Sequence, residues 1–110
     1  MSRWRSHKVL ATTAILVAAP TRAAAAEVAV DQRDMQFVPG AVAINAGDSV
    51  RFTDTDRIAH DITVVNPDGS AVDRGMDYYN QQIVVKFDKA GVYQIRCRIH
   101  PTMKMTITVK

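Results

Sequence analysis

The sequence predicts an all-β domain, a Greek-key antiparallel β-sandwich of about seven short strands. Three observations carry that expectation. From residue 27 onward, apolar side chains recur at every second position, the period of a strand with one buried face. Clusters of Asn, Asp, Gly and Pro interrupt the alternation at short intervals. Nowhere in the same region do apolar residues keep a helical spacing for a useful length.

The first 26 residues stand apart. Arg3, Arg5 and Lys8 make a basic start, Val9 to Ala19 is mostly apolar and uncharged, and Ala24-Ala25-Ala26 offers small residues to a signal peptidase. Residues 1–26 are therefore expected to be a cleaved secretory signal, and residues 27–110 the single domain. The apolar run is too short to cross a bilayer as a helix. No Arg-Arg pair marks twin-arginine export, and no cysteine near the cleavage point invites a lipid anchor. The expectation is a periplasmic protein with no membrane anchor.

Processing changes the charge. With Arg3, Arg5, Lys8 and Arg22 gone, the 14 Lys and Arg fall to 10 against 11 Asp and Glu, so +3 becomes −1. The basic composition belongs to the targeting segment and gives nucleic-acid binding no support. The 84 residues from 27 to 110 can close one core with little stability in reserve. Exported domains of this size often carry disulfides, but this one has a single cysteine, Cys97. A lone thiol in an oxidising compartment is a liability unless it is buried or ligated.

Taken in order, Val28 and Val30 open the first strand. Phe37-Val38-Pro39-Gly40 is a bend, after which Val42 and Ile44 alternate. Asn45-Ala46-Gly47-Asp48 is a tight turn into the strand of Val50 and Phe52. Asp54-Thr55-Asp56-Arg57 is a polar loop. His60 then shares a face with Ile62 and Val64, while Asp61 and Thr63 take the other. Asn66-Pro67-Asp68-Gly69 is a turn, and residues 70–82 are polar and show no period. Ile83, Val85 and Phe87 form another strand face, and Lys89-Ala90-Gly91 turns the chain into Tyr93, Ile95 and Cys97. Met103, Met105, Ile107 and Val109 alternate in the last strand.

Cys97, His100 and Met103 gather a thiol, an imidazole and a thioether within seven residues, and His60 is the one other histidine after residue 26. Thiolate and thioether favour Cu(I), imidazole suits Cu(II), and a rigid sandwich lets one geometry serve both. One thiolate, two imidazoles and a weak thioether make the donor set of a mononuclear electron-transfer copper site. Each residue alone has a plainer reading. Cys97 would be a small buried hydrophobe, His60 a satisfied histidine at a strand end, His100-Pro101 a turn, and Met103 a core residue. Zinc on Cys97 and the two histidines is chemically open, although the thioether at this spacing argues against it.

Three stretches carry a family resemblance. Val42-Ala43-Ile44-Asn45-Ala46-Gly47-Asp48-Ser49-Val50-Arg51-Phe52 looks like the pattern I-x-x-G-D-x-V-x-F. Gly91-Val92-Tyr93-Gln94-Ile95-Arg96-Cys97 is similar to G-x-Y-x-x-x-C, and Cys97-x-x-His100-x-x-Met103 has a short ligand-loop spacing. On these residues the chain resembles the cupredoxins, small blue copper proteins, and within them the amicyanin and pseudoazurin type. The resemblance covers nearly all of residues 27–110.

It implies one mononuclear type 1 copper ion, with His60, Cys97 and His100 as equatorial ligands and Met103 as the axial one. Met105, two positions on and of the same parity, is the competitor, and family spacing favours Met103. The resemblance also implies a monomeric electron carrier rather than an enzyme. Its partners would be redox proteins (a dehydrogenase, a reductase or a cytochrome), reached through a solvent-facing His100. Copper enzymes of this kind need a second centre with further histidines, and both available ones are already used.

Asp61 departs from the pattern, because the family commonly has Asn there to tie the two ligand loops together. A carboxylate can keep the tie, and its charge is expected to lower the reduction potential. Arg57, Arg96, Arg98 and Lys104 flank the ligands, either as a rim that steers an acidic partner or as an ordinary solvated face. Two alternatives remain: a copper protein for delivery or resistance, and a metal-free adhesive sandwich. Met35, Met76, Met103 and Met105 form no obvious cluster in the sequence that would favour the former.

Overall fold

The computed structural model describes residues 11–16 and 24–110, and its regular structure is all strand. The export signal expected over residues 1–26 lies largely outside the described residues. Among those described, no helix is long and apolar enough to cross a membrane.

The strands are β1 (Glu27–Arg33), β2 (Gln36–Val38), β3 (Ala41–Ile44), β4 (Ser49–Asp54), β5 (His60–Val65), β6 (Ala71–Asp77), β7 (Gln82–Lys86), β8 (Gly91–Arg96) and β9 (Lys104–Val109). One sheet has the order β2-β1-β4-β7 and the other β3-β9-β8-β5-β6. The all-β sandwich follows the pattern of the sequence, and two details differ from the expectation.

The described residues form nine strands rather than about seven. Of the two extra strands, β2 is only three residues long, too short to establish a period. Strand β6 is exposed along most of its length and lies at a sheet edge, so no burial forces alternation on it. The sheets are also mixed rather than antiparallel: β1 runs parallel to β4, and β3 parallel to β9. Period-2 patterning reports which face is buried and is silent on strand direction.

Burial follows the alternation on β4 and β9, whereas β5, between β8 and β6, is buried on both faces from His60 to Val64. Val50, Phe52 and Asp54 point inward from β4, and Met105, Ile107 and Val109 from β9. Phe37 and Phe52 meet edge-to-face at 6.0 Å, and Phe87 and Tyr93 at 5.0 Å, geometries aromatic quadrupoles favour. The predicted turn before β4 is closed by Asp48, whose carboxylate accepts from Ala26 N at 2.8 Å and Asn45 N at 2.9 Å. Those two donors hold its pKa below the usual value. Gly91 permits the turn at residues 66–69 to press on the start of β8, where a Cβ would meet Pro67 Cγ at 2.6 Å.

The topology prepares one end of the larger sheet. Strands β5 and β8 are antiparallel neighbours, so the start of β5 and the finish of β8 lie together, and the β8–β9 loop follows there. This juxtaposition requires an intact core beneath it. Phe52 is wholly buried, and Phe52→Ala should cost about 3–5 kcal/mol. The expected result is a lower midpoint of urea unfolding with an unchanged slope. A loss below about 1 kcal/mol would place the packing centre elsewhere.

Candidate metal centre

Cys97 directly follows β8, and the residues up to Met103 form a short closed loop. Three backbone bonds shape it: Cys97 N donates to Met103 O at 3.2 Å, His100 N to Cys97 O at 3.3 Å, and Met103 N to His100 O at 2.9 Å. The loop is thus a pair of turns with its ends joined, which fixes where Cys97 and His100 project. His60 begins β5 and is fully buried, as its shared parity with Ile62 and Val64 predicts.

The three donors converge. His60 Nδ1 lies 3.0 Å from His100 Nδ1, and Cys97 Sγ lies 3.5 Å from His100 Nδ1 and 3.9 Å from His60 Nδ1. Donors held about 2.0–2.3 Å from one ion in a trigonal set sit roughly 3.5 Å from one another. The spacing and the soft-plus-borderline donor set therefore fit a single copper ion. Met103 is fully buried at the end of the loop. Met105, also buried, lies within β9 in register with Ile95.

Asp61 joins the two ligand segments. Its backbone N–H donates to Cys97 Sγ at 3.3 Å, and its Oδ1 accepts from Arg98 N at 3.3 Å and Thr63 Oγ1 at 2.6 Å. A carboxylate thus keeps the tie that an Asn side chain would make. Asp61 is only 2% exposed although it faces away from His60. Burial pushes its pKa up, the neighbouring Asp73 adds to the rise, and the Thr63 hydroxyl opposes it.

The sequence from residue 24 to 110 matches the family described as copper binding proteins, plastocyanin/azurin family. The chain belongs to this family. It is similar to a pseudoazurin of Methylorubrum extorquens, 39% identical over an alignment covering 99% of this chain and 78% of that protein. It also resembles a plastocyanin of Ulva pertusa, 29% identical over 73% of this chain and 92% of that one. A solved structure of a reduced amicyanin variant superposes with a TM-score of 0.71 at 23% identity, covering 76% of this chain and 82% of that one. The chain is a cupredoxin of the amicyanin and pseudoazurin type, and its cofactor is copper.

Behind this cupredoxin site lies a set of acids that the sequence reading took for a polar loop or left unread. His60 Nε2 is 2.8 Å from Asp56 Oδ2 and 3.9 Å from Asp54 Oδ1. Gln32 Nε2 donates to Asp77 Oδ1 at 3.1 Å, and Gln32, Asp54 and Asp77 are all fully buried. Gln32 Oε1, Asp54 Oδ2 and Asp77 Oδ2 have no hydrogen-bond partner. Burial pushes Asp56 upward, yet the donors Met35 N, His60 and Asp34 N outweigh it and leave the group below its usual value. The available signal was Asp56 four positions ahead of a ligand-type histidine.

Burial also raises the Asp54 carboxyl, and it pushes Asp77 up to about 6, with the Gln32 amide opposing and the charge of Asp54 adding. An Asp77 raised from 3.8 to about 6 keeps its proton in the folded state after the unfolded chain has lost it. Stability therefore falls as pH rises from about 4 to about 6 and stays reduced above that. In the copper-free protein, Asp77→Asn should gain on the order of 2–3 kcal/mol above about pH 7 and little near pH 4. Urea midpoints at the two pH values check this. An equal shift at both would mean that Asp77 ionisation does not contribute.

Proposed function

We propose that this cupredoxin carries single electrons between redox proteins in the periplasm, exported by residues 1–26 and folded over residues 27–110. The observation that carries the reading is the convergence of His60 Nδ1, His100 Nδ1 and Cys97 Sγ beneath a loop closed by its own hydrogen bonds. His60, Cys97 and His100 would hold the ion equatorially, with Met103 as the axial ligand. Bound copper supplies the one-electron chemistry.

The chain's part is to hold still and to offer an exit. The Asp61 bridge and the turn bonds at residues 97–103 limit how far donors move when the charge changes, which keeps exchange fast. His60 is sealed in the interior, whereas His100 is half-buried and flanked by exposed Ile99, Pro101 and Thr102. That difference supports His100 as the side through which a partner exchanges electrons. Ile99 and Pro101 place exposed apolar groups beside it.

The basic rim is narrower than the residue count suggests. Arg98 Nη1 is 3.1 Å from Asp73 Oδ2, and the Arg57 guanidinium lies 4.7 Å over the Tyr79 ring. Arg96 and Lys104 stand in register across β8 and β9 on the exposed face. An acidic dehydrogenase, reductase or cytochrome would be steered mainly by these two. Storage or delivery of copper is less well served, because Met35 and Met76 are exposed on β-turn and edge-strand positions rather than gathered with Met103.

Titrating the purified protein with Cu(II) should give one intense blue chromophore at one equivalent, lost in Cys97→Ser. Met103→Leu should alter the spectrum while Met105→Leu leaves it unchanged. A colourless wild-type protein would overturn the reading. Asp61→Asn tests the departure from the family pattern. Loss of the carboxylate should raise the reduction potential, since negative charge favours the oxidised ion. A potential equal to that of the wild type in voltammetry would remove Asp61 from its control.

A further inference from the structure

Asp56 makes more contacts than closing a loop requires. Its Oδ1 accepts from Asp34 N at 2.8 Å, and its Oδ2 accepts both Met35 N at 3.0 Å and the His60 ring nitrogen Nε2 at 2.8 Å. Asp34 and Met35 form the two-residue turn between β1 and β2, and both hold positive φ, 54° and 61°. Neither is glycine, so the left-handed turn is an unfavourable conformation that needs external bonds to hold it. The two backbone donations to Asp56 supply them.

The other half of the arrangement concerns His60. Its Nδ1 faces His100 and Cys97, and its Nε2 faces Asp56 from a fully buried ring. A histidine that gives one nitrogen to a metal usually donates the other N–H to a carboxylate or carbonyl. That bond fixes the tautomer and ring angle and raises the basicity of the ligating nitrogen. Asp54 Oδ1 reinforces the geometry by accepting Asp56 N at 2.8 Å.

We propose that Asp56 is a positioning residue for the copper ligand His60, and that the Asp34–Met35 turn on the opposite sheet orients Asp56 for that task. The proposal rests on the reading of His60 as a ligand. An amide could not replace the carboxylate without loss. Three donors converge on two oxygens, and the NH2 of an Asn would oppose one of them.

Asp56→Asn provides the test. The variant should bind Cu(II) about 10- to 100-fold more weakly and show a raised reduction potential, because the ligand loses basicity. Histidine-labelled wild-type protein in the Cu(I) form should show a slowly exchanging Nε2 proton on His60.

A purely structural Asp56 would lower the unfolding temperature and leave the potential alone. The pair Asp34→Asn and Met35→Gly separates the two roles, since Asn-Gly adopts this turn unaided. Adding Asp56→Asn to that pair should give a stable protein whose potential remains shifted. A wild-type potential in the triple variant, or a rapidly exchanging His60 proton, overturns the proposal. A wild-type protein that takes up no copper overturns the ligand reading along with it. A blue Asp56→Asn with unchanged potential and affinity overturns this proposal alone.

Discussion

The candidate copper-binding end of the molecule depends on one buried carboxylate, Asp61, and on what it joins. Strand β5 delivers His60 and the β8–β9 loop delivers Cys97 and His100, but the ladder between β5 and β8 pairs Thr63, Val64 and Val65 with Arg96, Ile95 and Gln94 and stops short of the ligands. Beyond the last rung Asp61 ties the two segments. It does so through its own N–H to the Cys97 sulfur and through its side chain to Arg98 N. Hydrogen bonds with an ionised partner are roughly twice as strong as neutral ones. The cost is a carboxylate nearly out of water, eased by Thr63 and by Arg98, which also pairs with Asp73.

That compromise recurs across the same end of the sandwich. Gln32, Asp54, Asp61, His60 and Asp77 are all buried, and three of their oxygens lack partners. Buried polar atoms without partners are destabilising, and a domain this small has little to spare. The compensation comes from Val50, Phe52, Ile95 and Ile107, which are fully buried in the apolar interior. Stability and site are thus segregated: apolar contacts hold the sheets together, and polar contacts fix the donors. Conflict between local stability and placement of chemistry is usual at functional sites.

The same segregation explains what was legible in the sequence. Inward faces of β4, β8 and β9 announced themselves because each inward residue meets a packed neighbour, and burial imposes a two-residue period. The approach of Cys97 to His100 was legible because the two sit three residues apart in one short loop. His60 could be added because no other histidine remained after residue 26. Strand β6 was illegible because an exposed edge imposes no period, and the parallel pairings were illegible because strand direction leaves no trace in alternation. Asp54, Asp56 and Asp77 were missed for a different reason. In sequence they read as turn and loop acids, and only the closure of β1, β4 and β6 around His60 makes them interior groups.

That last distinction bears on how the site works. An ion that changes charge by one unit without large movement needs donors that cannot follow it, and donor rigidity is set by what each donor touches besides the metal. For Cys97 the restraint comes from a neighbouring backbone N–H, and for His100 from the turn that contains it. For His60 it comes from a carboxylate held in turn by the β1–β2 hairpin. Three candidate ligands are thus braced by three separate parts of the chain, one brace being the Asp56 carboxylate and another the backbone N–H of Asp61. Negative charge placed behind the ligands favours the oxidised ion. The acids in the framework that gives rigidity therefore also bias the redox equilibrium through their charge.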